Sequence, residues 1–351
     1  MSEDILFSQN GQLGIISLNR AKALNALTLD MILALQRQLT AWQEDDSVRA
    51  IVLQSNSGNA FCAGGDIRSL YEAGRLNGSG QMQFFWHEYR LNHFIHHYPK
   101  PYISLIDGMV MGGGVGISLH GSHAIATENF VFSMPETGIG FFPDIGASHL
   151  LTRCPGFSGL YLGLTGNRVG ATDALNAGLV KQIISAERLS ALLASLQDVD
   201  MSQDAFKAVD ACLHEHRLKD DLRQPSQFKP AIDHCFVQPS IEGIFSALEQ
   251  EGSVWATSIE NSLSQKSPLS LKVTFAQLQQ AKGLSLADCL QMDYNLVSHF
   301  IKGSDFYEGV RALIIDKDKQ PKWNPASLDQ VSEEMVAKYF TRIHPALEWV
   351  S

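Results

Sequence analysis

The chain has 351 residues, of which 45% are hydrophobic and 18% charged, and its formal net charge is −10 at pH 7. This length is sufficient for a full hydrophobic core and for more than one domain. The acidic balance argues against a broad nucleic-acid or anionic membrane surface, although a local basic patch for a phosphorylated ligand is compatible with it. We therefore predict no nucleic-acid partner.

The start of the chain and its cysteines indicate a reducing compartment. Residues 1–4 are acidic and lack a basic segment followed by an apolar one, and no stretch approaches membrane-spanning length. The cysteines form no Cys-x-x-Cys pair, which argues against a disulfide framework or a zinc knuckle. They are Cys62, Cys154, Cys212, Cys235 and Cys289. We predict a cytoplasmic protein with no presequence and no membrane association.

The first part of the chain predicts strand, strand, helix and strand. Two short apolar runs flank Asn10-Gly11, a pair that favours a type I′ hairpin turn. Thr28 is placed to cap a helix whose apolar positions keep helical spacing as far as Trp42. A short buried strand is predicted at 50–53.

Two segments repeat one arrangement, in which glycines stand between an apolar run and a predicted helix. In the first, Gly64-Gly65 precede Asp66, which is placed to cap the next helix. In the second, a strand at 103–106 and a turn lead to Gly112, Gly113 and Gly114, which open a helix towards His120. The first N–H groups of a helix lack partners, and glycine lets a ligand oxygen approach them.

Each glycine segment alone is also explained by a turn or by close helix packing. Together they favour an oxyanion site, because a tetrahedral oxyanion needs two convergent donors. We assign these donors to the N–H groups of Gly65 and Gly113.

Between the two segments lies a helical stretch, 81–98, that carries Glu88 and three histidines. A glutamate on a helix commonly occupies a solvated face, which is one interpretation of Glu88. His93, His96 and His97 have a spacing that suits a metal, but no acidic or cysteine partner has a recognisable ligand spacing with them. We predict no metal site.

Glu136 and Asp144 belong to a segment whose prolines and glycines prevent a regular helix. Both acids should therefore sit on a shaped loop, which Ile139, Phe141 and Phe142 should bury and shield from water. For Asp144, capping of the following helix is an equally open interpretation.

The rest of the chain predicts mainly helices. Residues 159–184 suggest helix, turn, helix and a short strand, and two amphipathic helices are predicted at 269–280 and 285–301. We divide the chain into a core at 1–190, a helical insertion or linker at 191–266 and a C-terminal helical region at 267–351.

Four motifs resemble the crotonase (enoyl-CoA hydratase/isomerase) superfamily. They are Leu-Asn-Arg-Ala-Lys-Ala-Leu-Asn-Ala-Leu (18–27), Ala-Phe-Cys-Ala-Gly-Gly-Asp-Ile (60–67), Met-Gly-Gly-Gly-Val-Gly (111–116) and Met-Pro-Glu (134–136). A narrower similarity to the 3-hydroxyisobutyryl-CoA hydrolase group continues through 267–272, 305–312 and 316–323. The resemblance implies a mixed α/β fold, a spiral of repeated ββα units followed by a helical C-terminal part.

The resemblance also implies an acyl-CoA substrate and roles for particular residues. The thioester carbonyl oxygen would lie between the N–H groups of Gly65 and Gly113. Glu136 and Asp144 match catalytic acids, and Glu88 matches an acidic residue that lines the substrate. The segments that border the CoA adenine and phosphates contain Lys22, Ala23 and Ala63. No cofactor is implied, since CoA is part of the substrate.

Two departures from the hydratase pattern move the prediction to thioester hydrolysis. Hydratases carry a second glutamate where this chain has Gly116, and a small residue where it has Asp144. We expect hydrolysis of a short 3-hydroxyacyl-CoA, with 3-hydroxyisobutyryl-CoA of valine breakdown as the first choice. Open alternatives are a hydratase or isomerase that uses Glu136 alone, and a catalytically silent protein of the same fold that binds RNA or a partner. A homo-oligomer is compatible with the resemblance.

Overall fold

The computed structural model describes residues 3–58, 60–76, 80–218, 226–342 and 344–350. Its strands are β1 (Ile5–Asn10), β2 (Leu13–Leu18), β3 (Ala50–Ser55), β4 (Ala60–Cys62), β5 (Tyr102–Ile106), β6 (Met109–Met111), β7 (His123–Ala126), β8 (Val131–Ser133), β9 (Val169–Gly170) and β10 (Gln182–Ile183). Short 3₁₀ turns lie at Ala21–Ala23, Glu136–Ile139, Ala186–Arg188 and Leu328–Gln330, and a π-helical turn lies at Arg311–Ile315.

The helices are α1 (Leu29–Glu44), α2 (Ile67–Arg75), α3 (Gly80–His96), α4 (Gly113–Ser118), α5 (Ala147–Leu151), α6 (Ser158–Thr165), α7 (Ala171–Asn176), α8 (Leu189–Asp198), α9 (Ala205–His216), α10 (Lys229–Phe236), α11 (Ile241–Glu251), α12 (Val254–Ser264), α13 (Pro268–Gln280), α14 (Leu286–Phe300), α15 (Ser304–Val310) and α16 (Glu333–Tyr339). The predicted caps are confirmed, because Thr28 accepts from the N–H of Met31 and Asp66 accepts from the N–H of Ser69. No described helix is both long and apolar enough to cross a membrane.

Successive strands alternate between two sheets, which produces the expected spiral. One sheet has the order β1-β2-β3-β5-β7-β10 and the other the order β4-β6-β8-β9. Strands β3, β5 and β7 lie side by side in the larger sheet, and the strands that follow them in the chain, β4, β6 and β8, lie side by side in the smaller one. Within each of these two sets the strands are parallel. Each turn of the chain therefore adds one strand to each sheet, as the predicted ββα repeat requires.

Strands β2, β3, β5 and β7 of the larger sheet are buried on both faces, as is usual for parallel strands. Alternate residues of β2 and β3 point to opposite sides: Ile16 and Ile51 belong to the main core, while Ile15 and Val52 contact a second apolar cluster. Helices α8 and α9 supply that second cluster with side chains that include Leu192 and Val209. Part of the predicted 191–266 region thus covers the sheet directly. The three-part division itself stays a prediction, and residues 219–225 lie outside the described part.

Two details differ from the sequence prediction. The hairpin between β1 and β2 pairs Asn10 with Leu13, so its turn residues are Gly11 and Gln12. Of these two, only Gly11 has a positive φ, of 56°. The prediction of a type I′ turn at Asn10-Gly11 was therefore wrong. The strands β4 and β6 were not predicted, because three residues are too few to show a period. The five cysteines are buried and unbridged.

Candidate active site

The predicted site residues follow three neighbouring parallel strands. Gly64-Gly65 come after β4, Gly112-Gly113 come after β6, and Glu136 comes soon after β8. These strands are adjacent in the smaller sheet, in the order β4-β6-β8. Because the carboxyl ends of parallel strands meet at one edge of a sheet, the three segments converge there.

The backbone around Gly65 leaves its N–H group free for a ligand. Leu27 forms a parallel bridge with Gly65, in which the N–H of Leu27 donates to Gly64 O and the N–H of Asp66 donates to Leu27 O. These bonds use the groups on either side of Gly65 and not its own N–H. Among the described residues, no hydrogen bond is donated by the N–H of Gly65.

Gly113 begins α4, and its N–H also has no acceptor within the described residues. Gly112 precedes it with φ 43° and ψ −124°, a conformation that a residue with a Cβ rarely adopts. A Cβ on Gly113 would lie 3.3 Å from the nitrogen of Gly65 and would overlap Oε1 of Glu88. The two amides and the Glu88 carboxyl therefore stand close together, as the sequence predicted.

Glu136 opens the 3₁₀ turn Glu136–Ile139 and is only 7% exposed. Its Oε1 lies 3.2 Å from where a Cβ on Gly112 would be, and its buried Oε2 has no partner among the described residues. The side chain thus reaches the backbone segment that presents the Gly113 amide. The prediction that Glu136 avoids a regular helix face is confirmed, although a 3₁₀ turn carries it.

Asp144 does not cap the next helix. Helix α5 has Gly146 at its N-cap and no side-chain capping bond. Instead, the hydroxyl of Tyr89 on α3 donates to Oδ2 of Asp144 at 2.7 Å, and both side chains are buried. Tyr89 was not among the predicted site residues, and its one signal in the sequence was its position next to Glu88 on a predicted helix.

A cavity of about 160 Å³ joins these groups. Its polar lining includes Gly65, Glu88, Gly113, Glu136 and Asp144. Its apolar walls include Phe84, Phe85, Ile139, Phe141 and Ile314. Glu88 is 2% exposed, so the interpretation as a solvated face is wrong.

Of the predicted CoA-binding residues, only one lines the cavity. Ala63 lines the cavity, whereas Lys22 and Ala23 lie in the 3₁₀ turn Ala21–Ala23 and do not. That turn is tied to the cavity wall, because the N–H of Ala63 donates to Leu24 O at 3.0 Å. Lys22 is exposed, as an approach side for a charged ligand would require.

The histidines of α3 lie outside the cavity lining. The ring of His93 packs on His97 and on Trp349, with centroid separations of 4.2 Å in both cases. Within the residues that the structure describes, no group of three or more histidine, cysteine or acidic side chains is arranged to hold a metal.

The three cavity carboxyls cannot all ionise freely. Burial raises the pKa of Glu136 and of Glu88 well above the ordinary value, and the nearby charge of Asp144 raises both further. Burial also raises the pKa of Asp144 to about 7, although the Tyr89 hydroxyl favours its ionised form. The ammonium of Lys266 lowers the pKa of Glu136 in opposition to burial. The carboxyls of Glu136 and Asp144 therefore take up protons at higher pH than free carboxyls do, which suits them to proton transfer.

Free amides at two strand ends, aimed into a cavity with buried carboxyls, define a protein of the crotonase class. A family model described as enoyl-CoA hydratase/isomerase matches residues 13–340, and the chain belongs to this family.

The chain is similar to proteins named as mitochondrial 3-hydroxyisobutyryl-CoA hydrolases. The one from Danio rerio is 41% identical over 345 residues, which cover 97% of this chain and 90% of that protein. The one from Xenopus tropicalis is 42% identical over 345 residues, covering 97% and 89% respectively. The crystal structure of a carnitinyl-CoA dehydratase from Mycobacterium thermoresistibile is 35% identical and superposes with a TM-score of 0.91, covering 99% of each chain.

Proposed function

We propose that this protein hydrolyses the thioester bond of a short-chain 3-hydroxyacyl-CoA, with 3-hydroxyisobutyryl-CoA as the preferred substrate. Relatives that carry the name of this hydrolase are about 40% identical over nearly the whole chain. The observation that carries the proposal is the second carboxyl, Asp144, held by Tyr89 in the same cavity as Glu136 and the two amides.

In this mechanism the N–H groups of Gly65 and Gly113 donate to the thioester carbonyl oxygen. That oxygen becomes negative in the tetrahedral intermediate, and one such donor lowers the barrier by about 3 kcal/mol. Both donors are backbone groups already placed at the cavity, so no side chain has to be ordered when the charge develops.

Glu136 acts in its ionised form in one of two ways. It attacks the carbonyl carbon, forming a mixed anhydride as the C–S bond breaks, or it removes a proton from a water that attacks instead. Asp144 carries the proton that the departing CoA thiolate takes up. In the anhydride course, a water then attacks, its proton returns to Asp144, and the hydroxy acid leaves.

The two courses differ in where the oxygen of water first appears. A single turnover in H₂¹⁸O places label only in the product if Glu136 activates water. If an anhydride forms and water attacks its Glu136 carbonyl, the label is found in the Glu136 carboxyl.

Two features of α4 weigh against the hydratase or isomerase alternative. Hydration in the hydratase pattern uses a second glutamate at the position of Gly116. A Cβ on Gly116 would lie 2.7 Å from Nδ2 and 2.9 Å from Oδ1 of Asn92, which is fully buried. The chain therefore lacks the second acid at this position, and the amide of Asn92 occupies the space beside it.

The function is tested with 3-hydroxyisobutyryl-CoA, a thiol-trapping dye and the absorbance of the enoyl thioester. We expect release of free CoA thiol with no enoyl product. An enoyl signal without thiol release would support the hydratase alternative, and the absence of thiol release would overturn the proposal. Binding of RNA with neither signal would support the catalytically silent alternative.

Replacing Tyr89 by phenylalanine is expected to move the alkaline limb of the pH dependence of kcat/KM, because Asp144 must be protonated to act as the acid. The variant removes a donor to ionised Asp144, so the pKa of Asp144 rises above about 7. A hydrogen bond to a charged group contributes about 1.5–3 kcal/mol, so the limb should move up by about one to two pH units.

The matched control is Tyr98→Phe, which removes a buried hydroxyl that donates to Leu39 O. Its pH profile should follow the wild type. An alkaline limb that stays in place in Tyr89→Phe would contradict the role given to the Tyr89 hydroxyl.

Replacing Glu88 by leucine is expected to abolish the preference for hydroxylated acyl groups. Oε1 of Glu88 is buried beside Gly113 with no described partner, so it is available to accept from the 3-hydroxyl of the substrate. The ratio of kcat/KM for 3-hydroxyisobutyryl-CoA over isobutyryl-CoA should fall roughly 10- to 100-fold, the range for a buried polar group that is left without a partner. Isobutyryl-CoA, which lacks the hydroxyl, is the internal control. An unchanged ratio would remove Glu88 from substrate recognition.

Further parts of the proposal concern partners and location. We propose that the enzyme needs no cofactor or metal, that Lys22 and Ala23 approach the CoA moiety, and that the protein works in the cytoplasm. The relatives in fish and frog are named as mitochondrial, so cell fractionation with a tagged full-length protein is the test of location. We also propose a homo-oligomer, which is tested by the molar mass of the purified protein from light scattering.

A further inference from the structure

The turn that carries Asp144 has a strained backbone. The next residue, Ile145, has φ 56°, and Gly146 has φ 71°. A β-branched residue in this left-handed region is an outlier that persists only where the surroundings fix it. Part of that support comes from His120, whose Nε2 lies 2.7 Å from Ile145 O.

Two side chains from the C-terminal helices hold the same turn. Oδ2 of Asp293 on α14 accepts from the N–H of Gly146 at 2.7 Å. Nε2 of Gln277 on α13 donates to Pro143 O at 2.9 Å and to Oδ1 of Asp293 at 2.8 Å. Both ends of the turn are therefore fixed by one connected pair of side chains.

This pair is built into the interior. Asp293 and Gln277 are both fully buried, although a buried carboxyl without a cation is costly to retain. Each oxygen of Asp293 accepts one N–H donor. An asparagine at this position would have to turn its own NH₂ group towards one of those donors, so even this small change breaks the network.

We propose that Asp293 and Gln277 are positioning residues for the hydrolysis, which fix the turn at 143–146 and so set the place of Asp144 beside Glu136. The inference rests on the proposed function. It makes α13 and α14 part of the active-site structure, because the support for the second acid comes from them.

The test measures kcat and KM for thiol release by Asp293→Asn, Gln277→Leu and the double variant, with rates referred to folded protein. Misplacement of a reacting group by about 1 Å costs about 10²-fold, so we expect kcat to fall by about this factor and KM to stay within about twofold. Because the two residues act through one turn, the double variant should lose no more than the more damaging single variant.

The matched control is Ser298→Ala, also on α14, which removes a buried hydroxyl that bonds to Tyr294 O of its own helix. It should keep wild-type kcat. The inference is overturned if the single variants keep wild-type kcat, or if their losses multiply in the double variant and follow loss of thermal stability. Failure of the wild type to release thiol would instead refute the proposed function, so the two failures are distinguishable.

Discussion

Replacing Glu136 by glutamine is expected to lower kcat for thiol release by about 10³-fold or more with little change in KM, since a lost base or nucleophile has an effect of this order. Glutamine keeps the shape of the side chain but can neither attack a carbonyl nor accept a proton from water. Both courses of the proposed mechanism therefore fail in this variant, while binding of the acyl-CoA is retained.

The control for this variant is Glu128→Gln. Glu128 is an exposed glutamate between β7 and β8, and its Oε2 accepts from the N–H of Ala186. It should turn over substrate like the wild type. Thiol release by Glu136→Gln within about tenfold of the wild-type rate would contradict the role of Glu136, because general acid–base catalysis alone contributes about 10² to 10⁴.

Replacing Gly113 by alanine is expected to lower kcat/KM by about 10² to 10³, the cost of losing one oxyanion donor. The new Cβ would overlap Oε1 of Glu88 and lie 3.2 Å from a methyl carbon of Leu27. It would also lie 3.3 Å from the nitrogen of Gly65, in the space that the carbonyl oxygen must enter. The loss should therefore appear with every acyl-CoA substrate, with or without a 3-hydroxyl.

Gly170→Ala is the control for this substitution. Gly170 has φ −82°, which a residue with a side chain adopts readily. The atom nearest to a Cβ added there would be Phe130 O at 3.9 Å, so the methyl group fits. This variant should keep wild-type kcat/KM. A Gly113→Ala enzyme with undiminished kcat/KM would mean that the thioester oxygen binds elsewhere.

Much of the fold was predictable because local patterns determine it. The Thr28 cap and the helical spacing of the apolar residues predict helix α1, and the Asp66 cap predicts helix α2. The glycine segments were recognised as donors because each precedes a helix. The family resemblance added the spiral order that these local patterns alone do not specify.

The strands that bring the site together were not predictable in the same way. With three residues each, β4 and β6 are too short to show a period, and their pairing links residues about fifty positions apart. The convergence of Gly65 and Gly113 was predicted from the repeated glycine arrangement, but the sheet order that produces it is seen only in the structure.

The supporting side chains were missed because their partners are distant in sequence. Tyr89 and Asp144 are 55 positions apart, and Asp293 and Gly146 are 147 apart. One signal was present for Asp293, which interrupts the buried face of α14 between Leu290 and Leu296. An acid on an apolar helix face indicates a buried partner without identifying it.

The proposed mechanism requires the amides of Gly65 and Gly113 to bind one thioester oxygen beside Glu136. The most direct measurement is a crystal structure of Glu136→Gln with 3-hydroxyisobutyryl-CoA bound. We expect the carbonyl oxygen at about 2.7–3.1 Å from both amide nitrogens, with the carbonyl carbon facing the side chain at position 136. A carbonyl oxygen more than about 4 Å from either nitrogen, beyond any hydrogen bond, would contradict it.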